Sequence, residues 1–322
     1  MKKSQILRWH VNKSKVCIML STYNGVKYIE EQMESLLAQH EVDVQINIRD
    51  DGSSDGTVQK LNEYAKSHPD QIRFIKGENL GVIGSFFELM CQTEPVYDYY
   101  AFCDQDDVWK RDKLIRAVTK LQLNQSNVPL MYCSSTQMVD QDLNNLNVWP
   151  TLPPKPLSMY NAMVENCCVG CTMVLNPIAF QQVRMNIPSD LTQVIMHDWW
   201  IYLYVSAFGE VIFDEEPTIL YRQHQNNVLG GSSEGWIVKW KNRWNRFVNG
   251  KNHFILSKQA KMFLQLHKDQ LSAQQQKDIQ CFLNQLDSSW IKRIKYASIM
   301  PFYRHASLDN LVLKLIYVLK KI

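Results

Sequence analysis

Phe102-Cys103-Asp104-Gln105-Asp106-Asp107-Val108-Trp109 sets three carboxylates in four positions, directly after the apolar run Tyr99 to Cys103. An extended chain points side chains i and i+2 to the same side, so a strand running into this cluster aligns Asp104 with Asp106. Paired carboxylates at a sheet edge suit a hard divalent cation with open positions, Mg²⁺ or Mn²⁺ bridging to a phosphate, whereas a structural zinc calls for Cys and His. The same residues also read as an Asp-rich turn capping a helix that begins near Lys110. Asp107, the odd one out of the pair, is expected to cap or support that helix.

Upstream, Val16 to Ser21 is a short apolar run of the kind that forms a strand buried on both faces, closed by Thr22-Tyr23-Asn24-Gly25. Tyr28, Ile29, Met33, Leu36 and Leu37 then recur at helical spacing. Val44 to Arg49 predicts a second strand, ending in Asp50-Asp51-Gly52-Ser53-Ser54-Asp55-Gly56-Thr57, with Asp55 placed to cap the helix whose apolar face is Val58, Leu61, Tyr64 and Ala65. Ile72 to Lys76 is a third strand and Ser85 to Cys91 a helix. This alternation implies a mostly parallel sheet covered on both faces, with ligands at the carboxyl ends of its strands. Thr22-Tyr23, Asp50-Asp51 and Asp104-Asp106 all fall at such ends. The chain has neither GxGxxG after the first strand nor GxxxxGK[ST], which disfavours a dinucleotide-dependent dehydrogenase and a P-loop phosphotransferase.

Downstream, Leu130 to Ser135 and Met173 to Leu175 read as strands, Trp149 to Pro156 as a stiff extended loop, and Pro177 as a helix opener. Asn166-Cys167-Cys168-Val169-Gly170-Cys171 holds one CxxC without a second pair, so its cysteines are read as small core residues. Met196-His197-Asp198-Trp199-Trp200 precedes a helical pattern to Phe208, which sets Asp198 at a helix N-terminus as a cap or as an oriented carboxylate. Val211 to Asp214 and Thr218 to Tyr221 are further strands, followed by Arg222-Gln223-His224.

The 322 residues are 45% hydrophobic and 21% charged, which fits one large domain with an appendage. Eight scattered cysteines and a polar, basic start point to a reducing compartment, with residues 1–14 as a leader. No apolar run approaches the ~18 residues of a membrane-spanning helix. The net charge of +3 is unevenly spread: residues 236–322 hold 16 Lys and Arg against 4 Asp, so the remainder is acidic. Such an asymmetry suggests an anionic partner, nucleic acid or membrane. Trp236, Trp240, Trp244 and Phe247 recur at helical spacing among Lys and Arg, and Leu308, Leu311, Val312, Leu315, Leu319 and Ile322 share a helix face. Basic amphipathic helices of this kind lie in membrane interfaces, or else pack on the catalytic body or a second subunit.

Taken together, Ser21-Thr22-Tyr23-Asn24-Gly25, Arg49 to Thr57, Asn79-Leu80-Gly81, Asp104 to Trp109, His197-Asp198-Trp199-Trp200 and Tyr221-Arg222-Gln223-His224 resemble the family 2 glycosyltransferases of GT-A fold, and among them the bacterial rhamnosyltransferase-like subgroup. The resemblance covers roughly residues 15–230. It implies an α/β GT-A fold, a Rossmann-like sheet flanked by helices over residues 15–235, and a helical appendage over 236–322. It further implies an inverting, metal-dependent transferase that moves a sugar, rhamnose from dTDP-rhamnose or another UDP or dTDP hexose, to a hydroxyl of a lipid-linked saccharide in cell-surface polysaccharide synthesis.

By that resemblance Thr22, Tyr23, Asp51 and Asp104 hold the nucleotide, with Asp51 accepting from N3–H of uracil or thymine. Asp104, Asp106 and His224 face the Mg²⁺ or Mn²⁺, with a phosphate contact as the other role for His224; Asp198 is the general base; and Trp199 and Trp200 shape the acceptor pocket or else anchor their helix in the core. The anionic partner is then a membrane surface met by the C-terminal helices, not nucleic acid. The expected location is cytoplasmic, peripheral on the inner membrane face, with a homodimer left open. Two other readings stand beside this one. A nucleotidyltransferase of related fold needs a basic pyrophosphate loop after the first strand, and Thr22 to Gly25 has no Lys or Arg; a non-catalytic nucleotide-sugar-binding scaffold has no use for both Asp106 and Asp198.

Overall fold

The computed structural model describes residues 13–124, 127–223 and 254–322. The predicted His224 and the Trp236 to Phe247 stripe lie outside the described residues. The chain starts with β1 (Lys15–Thr22), α1 (Ile29–Leu37), β2 (Asp43–Asp50), α2 (Thr57–Ser67), β3 (Ile72–Lys76), α3 (Gly81–Gln92) and β4 (Tyr99–Cys103). It continues through β5 (Val108–Trp109), α4 (Lys113–Leu123), β6 (Leu130–Ser134), β7 (Thr136–Val139), β8 (Asn145–Trp149), α5 (Met159–Ala162) and β9 (Val174–Leu175). After α6 (Pro177–Met185), α7 (His197–Phe208), β10 (Glu210–Asp214) and β11 (Ile219–Arg222) come four helices, α8 (Ile255–His267), α9 (Ala273–Gln285), α10 (Trp290–Ile299) and α11 (Ser307–Val318).

Seven strands form the main sheet in the order β10-β6-β9-β4-β1-β2-β3. All neighbours are parallel except β9, which runs against both β4 and β6. A second sheet, β5-β11-β7-β8, stands beside it. The fully buried run of β1 explains the architecture, because its alternate side chains feed two cores. Cys17 and Met19 join α3, α6, α7 and the C-terminal helices, while Val16, Ile18 and Leu20 join the apolar faces of α1, α2 and α4. The expected α/β sheet with helices on both faces is therefore what the chain forms.

Helices α8 to α11 are not a detached appendage. Leu256, Phe263, Phe282, Phe302 and Tyr317 belong to the same apolar cluster as Phe86, Tyr100 and Trp200. In α11, Leu313 and Tyr317 are fully buried, whereas Leu308, Leu311, Leu315 and Leu319 stay exposed. The C-terminal amphipathic face thus packs on the body along one side and leaves an apolar row along another.

One expected boundary moves. The helix after the acidic cluster begins at Lys113, with Asp112 at its N-cap position, and Val108–Trp109 is instead an edge strand pairing antiparallel with β11. Asp107 does not cap it.

Candidate active site

The carboxyl ends of β1, β2 and β4 and the N-terminus of α7 surround one cavity of about 1870 Å³, which Tyr23, Asp51, Asp104, Asp106, Asp198 and Trp199 all help to line. Residues separated by up to 176 positions in the chain meet there because parallel strands deliver their carboxyl ends to one side of the sheet.

At one end the loop after β2 is held by its own carboxylates. Asp50 accepts from the Thr22 hydroxyl at 2.9 Å and from the Ser53 N–H at 2.8 Å. Thr22, expected at the nucleotide, therefore spends its hydroxyl proton on fixing β1 to β2. Asp51 Oδ1 accepts from the Arg49 guanidinium at 2.5 Å and from the Leu80 N–H at 2.8 Å. Arg49 also donates to Ser85 Oγ at 2.9 Å and to the Glu78 carbonyl at 2.7 Å, which ties β2 to α3 and to the segment before it. This buried arginine was not singled out from the sequence; an Arg inside an otherwise apolar strand is the signal that marks it. Tyr23 is half exposed, so its ring is free to meet a planar ligand.

Gln105, the middle residue of the acidic motif, was also missed. Its side-chain oxygen accepts from the Tyr23 N–H at 2.8 Å and its amide donates to the Tyr23 carbonyl at 3.0 Å. A Cβ on Gly25 would sit 2.2 Å from that oxygen, so a side chain there would push the Gln105 amide out of this position. The pair locks the loop after β1 to the loop after β4.

The acidic cluster is built differently from the expected strand end. β4 stops at Cys103, and Asp104 to Asp107 form a turn, so the alternation of an extended strand does not set the carboxylate directions. Asp104 and Asp106 still both line the cavity. Asp107 is buried and accepts from the Arg222 N–H at 3.1 Å. Ligand atoms of Asp104, Asp107 and Cys171 lie within 4.8 Å of one another, which brings the carboxylate that was set aside next to one of the chosen pair. The buried Lys113 ammonium lies 3.7 Å from the centre of the Trp109 ring, and burial pulls its pKa down to about 8. Arg222 clamps this turn: its guanidinium donates to the Asp106 carbonyl at 2.9 Å and to the Gln141 carbonyl at 2.5 Å, and it pairs with Glu31.

Burial, then the charges of Asp106 and Asp198, push the Asp104 carboxyl up to about 7. That repulsion among converging carboxylates is what a bound divalent cation relieves, and an all-oxygen pair at Asp104 and Asp106 suits Mg²⁺ or Mn²⁺. The donor set fits the ion.

In the same cavity Asp198 sits in the first turn of α7. Its Oδ1 accepts from the Trp199 N–H at 2.6 Å and its Oδ2 from the Gly170 N–H at 3.2 Å. Burial raises its pKa to about 6, against the opposing hydrogen bonds from Trp199, Asn166 and Gly170. A Cβ on Gly170 would lie 3.2 Å from Asp198 Cβ and 3.4 Å from its Oδ2. The neighbouring His197 is a buried neutral plate stacked on Phe86 at 4.0 Å, its pKa driven down to about 3 by burial.

Trp199 and Trp200 part company. Trp199 lines the cavity, its indole N–H anchored on the Ala162 carbonyl at 2.6 Å. Trp200 is fully buried, edge-on to Phe263 at 5.5 Å, and does not line the cavity. Successive helical residues point about 100° apart, so one faces the cavity and the other the core. The expected acceptor contact is corrected to a packing one for Trp200. His224 lies outside the described residues. Cys168 and Cys171 are buried as expected of core thiols, with Cys171 against the acidic turn.

The family model for glycosyl transferase family 2 matches residues 17–182. A dTDP-rhamnosyl transferase, RfbG of Shigella flexneri, is 31% identical over 70% of this chain and 81% of its own. The Escherichia coli UDP-Glc:alpha-D-GlcNAc-diphosphoundecaprenol beta-1,3-glucosyltransferase WfgD is 28% identical over 52% of this chain and 65% of its own. Among solved structures, Staphylococcus aureus TarS with UDP-GlcNAc superposes with a TM-score of 0.56 at 13% identity, covering 94% of this chain and 81% of that one. The mannosyltransferase PcManGT from Pyrobaculum calidifontis, in complex with GDP-Man and Mn²⁺, reaches 0.50 at 13% identity, covering 94% and 79%. At these identities the structural likenesses establish the fold.

Proposed function

The chain belongs to glycosyl transferase family 2, and on that premise we propose that it moves rhamnose from dTDP-rhamnose, with inversion, to a hydroxyl of a lipid-linked saccharide at the inner face of the cell membrane. The observation that supports the reading is the gathering of Asp198, Asp104 and Asp106 in one cavity that Tyr23 and Asp51 also line, with Asp198 close enough for its charge to act on Asp104. A carboxylate to take the acceptor proton and a pair to meet the diphosphate, within one cavity, are the groups a single displacement needs.

In this reading the thymine lies against Tyr23 and donates its N3–H to Asp51. Asp104 and Asp106 hold the cation, which when bound stabilises negative charge on the departing diphosphate. Asp198 accepts the proton of the acceptor hydroxyl as its oxygen attacks the anomeric carbon from the opposite face. Its raised pKa of about 6 makes it a stronger base than an ordinary aspartate while leaving it mostly ionised at neutral pH. Trp199 offers an aromatic wall to the sugar C–H face of the acceptor. The similarity to a dTDP-rhamnosyl transferase supports the donor, and that to a glucosyltransferase named for a diphosphoundecaprenol substrate supports the acceptor class. Among the described residues no helix is long and apolar enough to cross a membrane, so the membrane contact is assigned to the surface.

The test is a panel of dTDP and UDP sugars with Mn²⁺, read by thermal shift and by release of nucleoside diphosphate with a lipid-linked acceptor. Stabilisation and turnover with dTDP-rhamnose above every UDP sugar is expected. Preference for a UDP hexose overturns the donor; absence of diphosphate release with every donor overturns the transfer.

A further inference from the structure

Helix α11 carries two apolar sides. Leu313 and Tyr317 are buried, the latter donating its hydroxyl to the Phe282 carbonyl at 2.7 Å, and α10 is tied to the end of α11 through the Arg293 guanidinium on the Val318 carbonyl at 2.8 Å. The other side leaves Leu308, Leu311, Leu315 and Leu319 exposed at 65%, 64%, 57% and 51%. Their spacing of three, four and four residues makes one continuous stripe along the helix. Four leucines in a row, each more than half exposed, go beyond the scattered apolar residues of an ordinary surface.

Two further facts say what meets this stripe. Over residues 286–322 there are seven Lys and Arg against two Asp, with Lys314, Lys321 and Lys320, the last paired with Asp287 at 2.6 Å, on or beside the stripe's own helix. Leu315 and Leu319 also line the catalytic cavity, together with Val312 and Ile316. The stripe therefore borders the opening of the cavity that holds Asp198. A leucine row flanked by lysines is the composition of a helix lying in a bilayer interface, apolar side among the acyl chains and ammonium groups at anionic headgroups.

We infer that the exposed stripe of α11 seats the protein on an anionic bilayer, so that the catalytic cavity opens at the level of the lipid headgroups. A saccharide joined to a membrane lipid then reaches Asp198 without its lipid leaving the bilayer. This deepens the proposed lipid-linked acceptor and rests on it for its purpose, but the docking itself is read without donor or acceptor.

The experiment is flotation of the full chain with vesicles of phosphatidylglycerol and phosphatidylcholine, and with phosphatidylcholine alone, at low and high salt. The native chain should bind the anionic vesicles at least tenfold more strongly, and salt should weaken that binding. The double variant Leu308→Glu and Leu311→Glu, at positions that do not line the cavity, should bind them at least tenfold less while keeping its melting temperature and its Mn²⁺-dependent thermal shift with the nucleotide sugar. Lys314→Gln should give a smaller loss confined to the anionic vesicles. Unchanged vesicle binding by the double variant overturns the inference. So does a fall in melting temperature with vesicle binding retained, which would mean that another segment of this chain covers the stripe. Conversion of a dimer to a monomer by the same variant, read by light scattering with no vesicle binding in the native chain, overturns it in favour of a second copy. Loss of vesicle binding with the donor preference intact separates this inference from the donor reading, and a wrong donor leaves the flotation result standing.

Discussion

Asp198 is held by two backbone N–H groups and Asn166, while burial raises its pKa to about 6. A base must be unprotonated to act, so kcat/KM is expected to fall about tenfold per pH unit below about 6 and to level off above it. Asp198→Asn should reduce kcat by ~10²- to 10⁴-fold, remove that acidic limb, and leave nucleotide-sugar affinity near the native value. A pH–rate series on the two proteins checks all three. Gly170 is bound up with the same carboxylate. With a methyl group 3.2 Å from Asp198 Cβ, Gly170→Ala must displace the base or its N–H donor. A fall in kcat exceeding tenfold with donor KM unchanged is expected, and an alanine variant with native kcat would show that the contact is not needed.

At the scale of the element, α7 divides its first turn between chemistry and core. Trp200→Ala empties a fully buried site and should cost ~3–5 kcal/mol of stability, measured by denaturant unfolding. Trp199→Phe removes an anchor on the Ala162 carbonyl at the cavity wall, so its effect should fall on acceptor KM, with a smaller loss of stability. The reverse pattern would move the acceptor wall to Trp200. The turn after β4 is organised in a comparable way: Gln105 holds it to the β1 loop, Arg222 holds it to β11 and α1, and the buried Asp107 faces inward. Its two cavity-lining carboxylates are positioned by these three side chains, not by strand pleating.

For the whole molecule, the convergence of acidic groups on one cavity predicts dependence on a divalent cation. EDTA should abolish transfer, and Mn²⁺ should raise the melting temperature of the native protein but not of Asp106→Ala. A native thermal response in Asp106→Ala would remove this residue from the cation site. The alternating strand and helix rhythm, the polar loops at strand ends and the carboxylate at the start of α7 were readable because each is a local pattern of three to twelve residues. Trp200 was misplaced because two adjacent tryptophans carry the same composition signal, and only packing against Phe263 distinguishes core from cavity. The capping role expected of Asp107 failed because its backbone partner is the Arg222 N–H, 115 residues away, while its charge still acts on Lys113 at the start of α4.

The sequence by itself determined the doubly covered α/β sheet, since apolar runs and helical periodicity are fixed by local stereochemistry and burial. It also named the residues whose carboxylates meet in the cavity, because strand-end loops in a parallel sheet must gather on one side. Only the fold shows which side chains around the cavity hold its loops together: Thr22 on Asp50, Arg49 on Asp51, Gln105 on Tyr23. It alone split the C-terminal leucine pattern into a buried side and an exposed stripe. Both decisions depend on contacts between segments distant in the chain, and a hydrogen-bond partner or a packing neighbour brought in from far along the sequence leaves no periodicity to read.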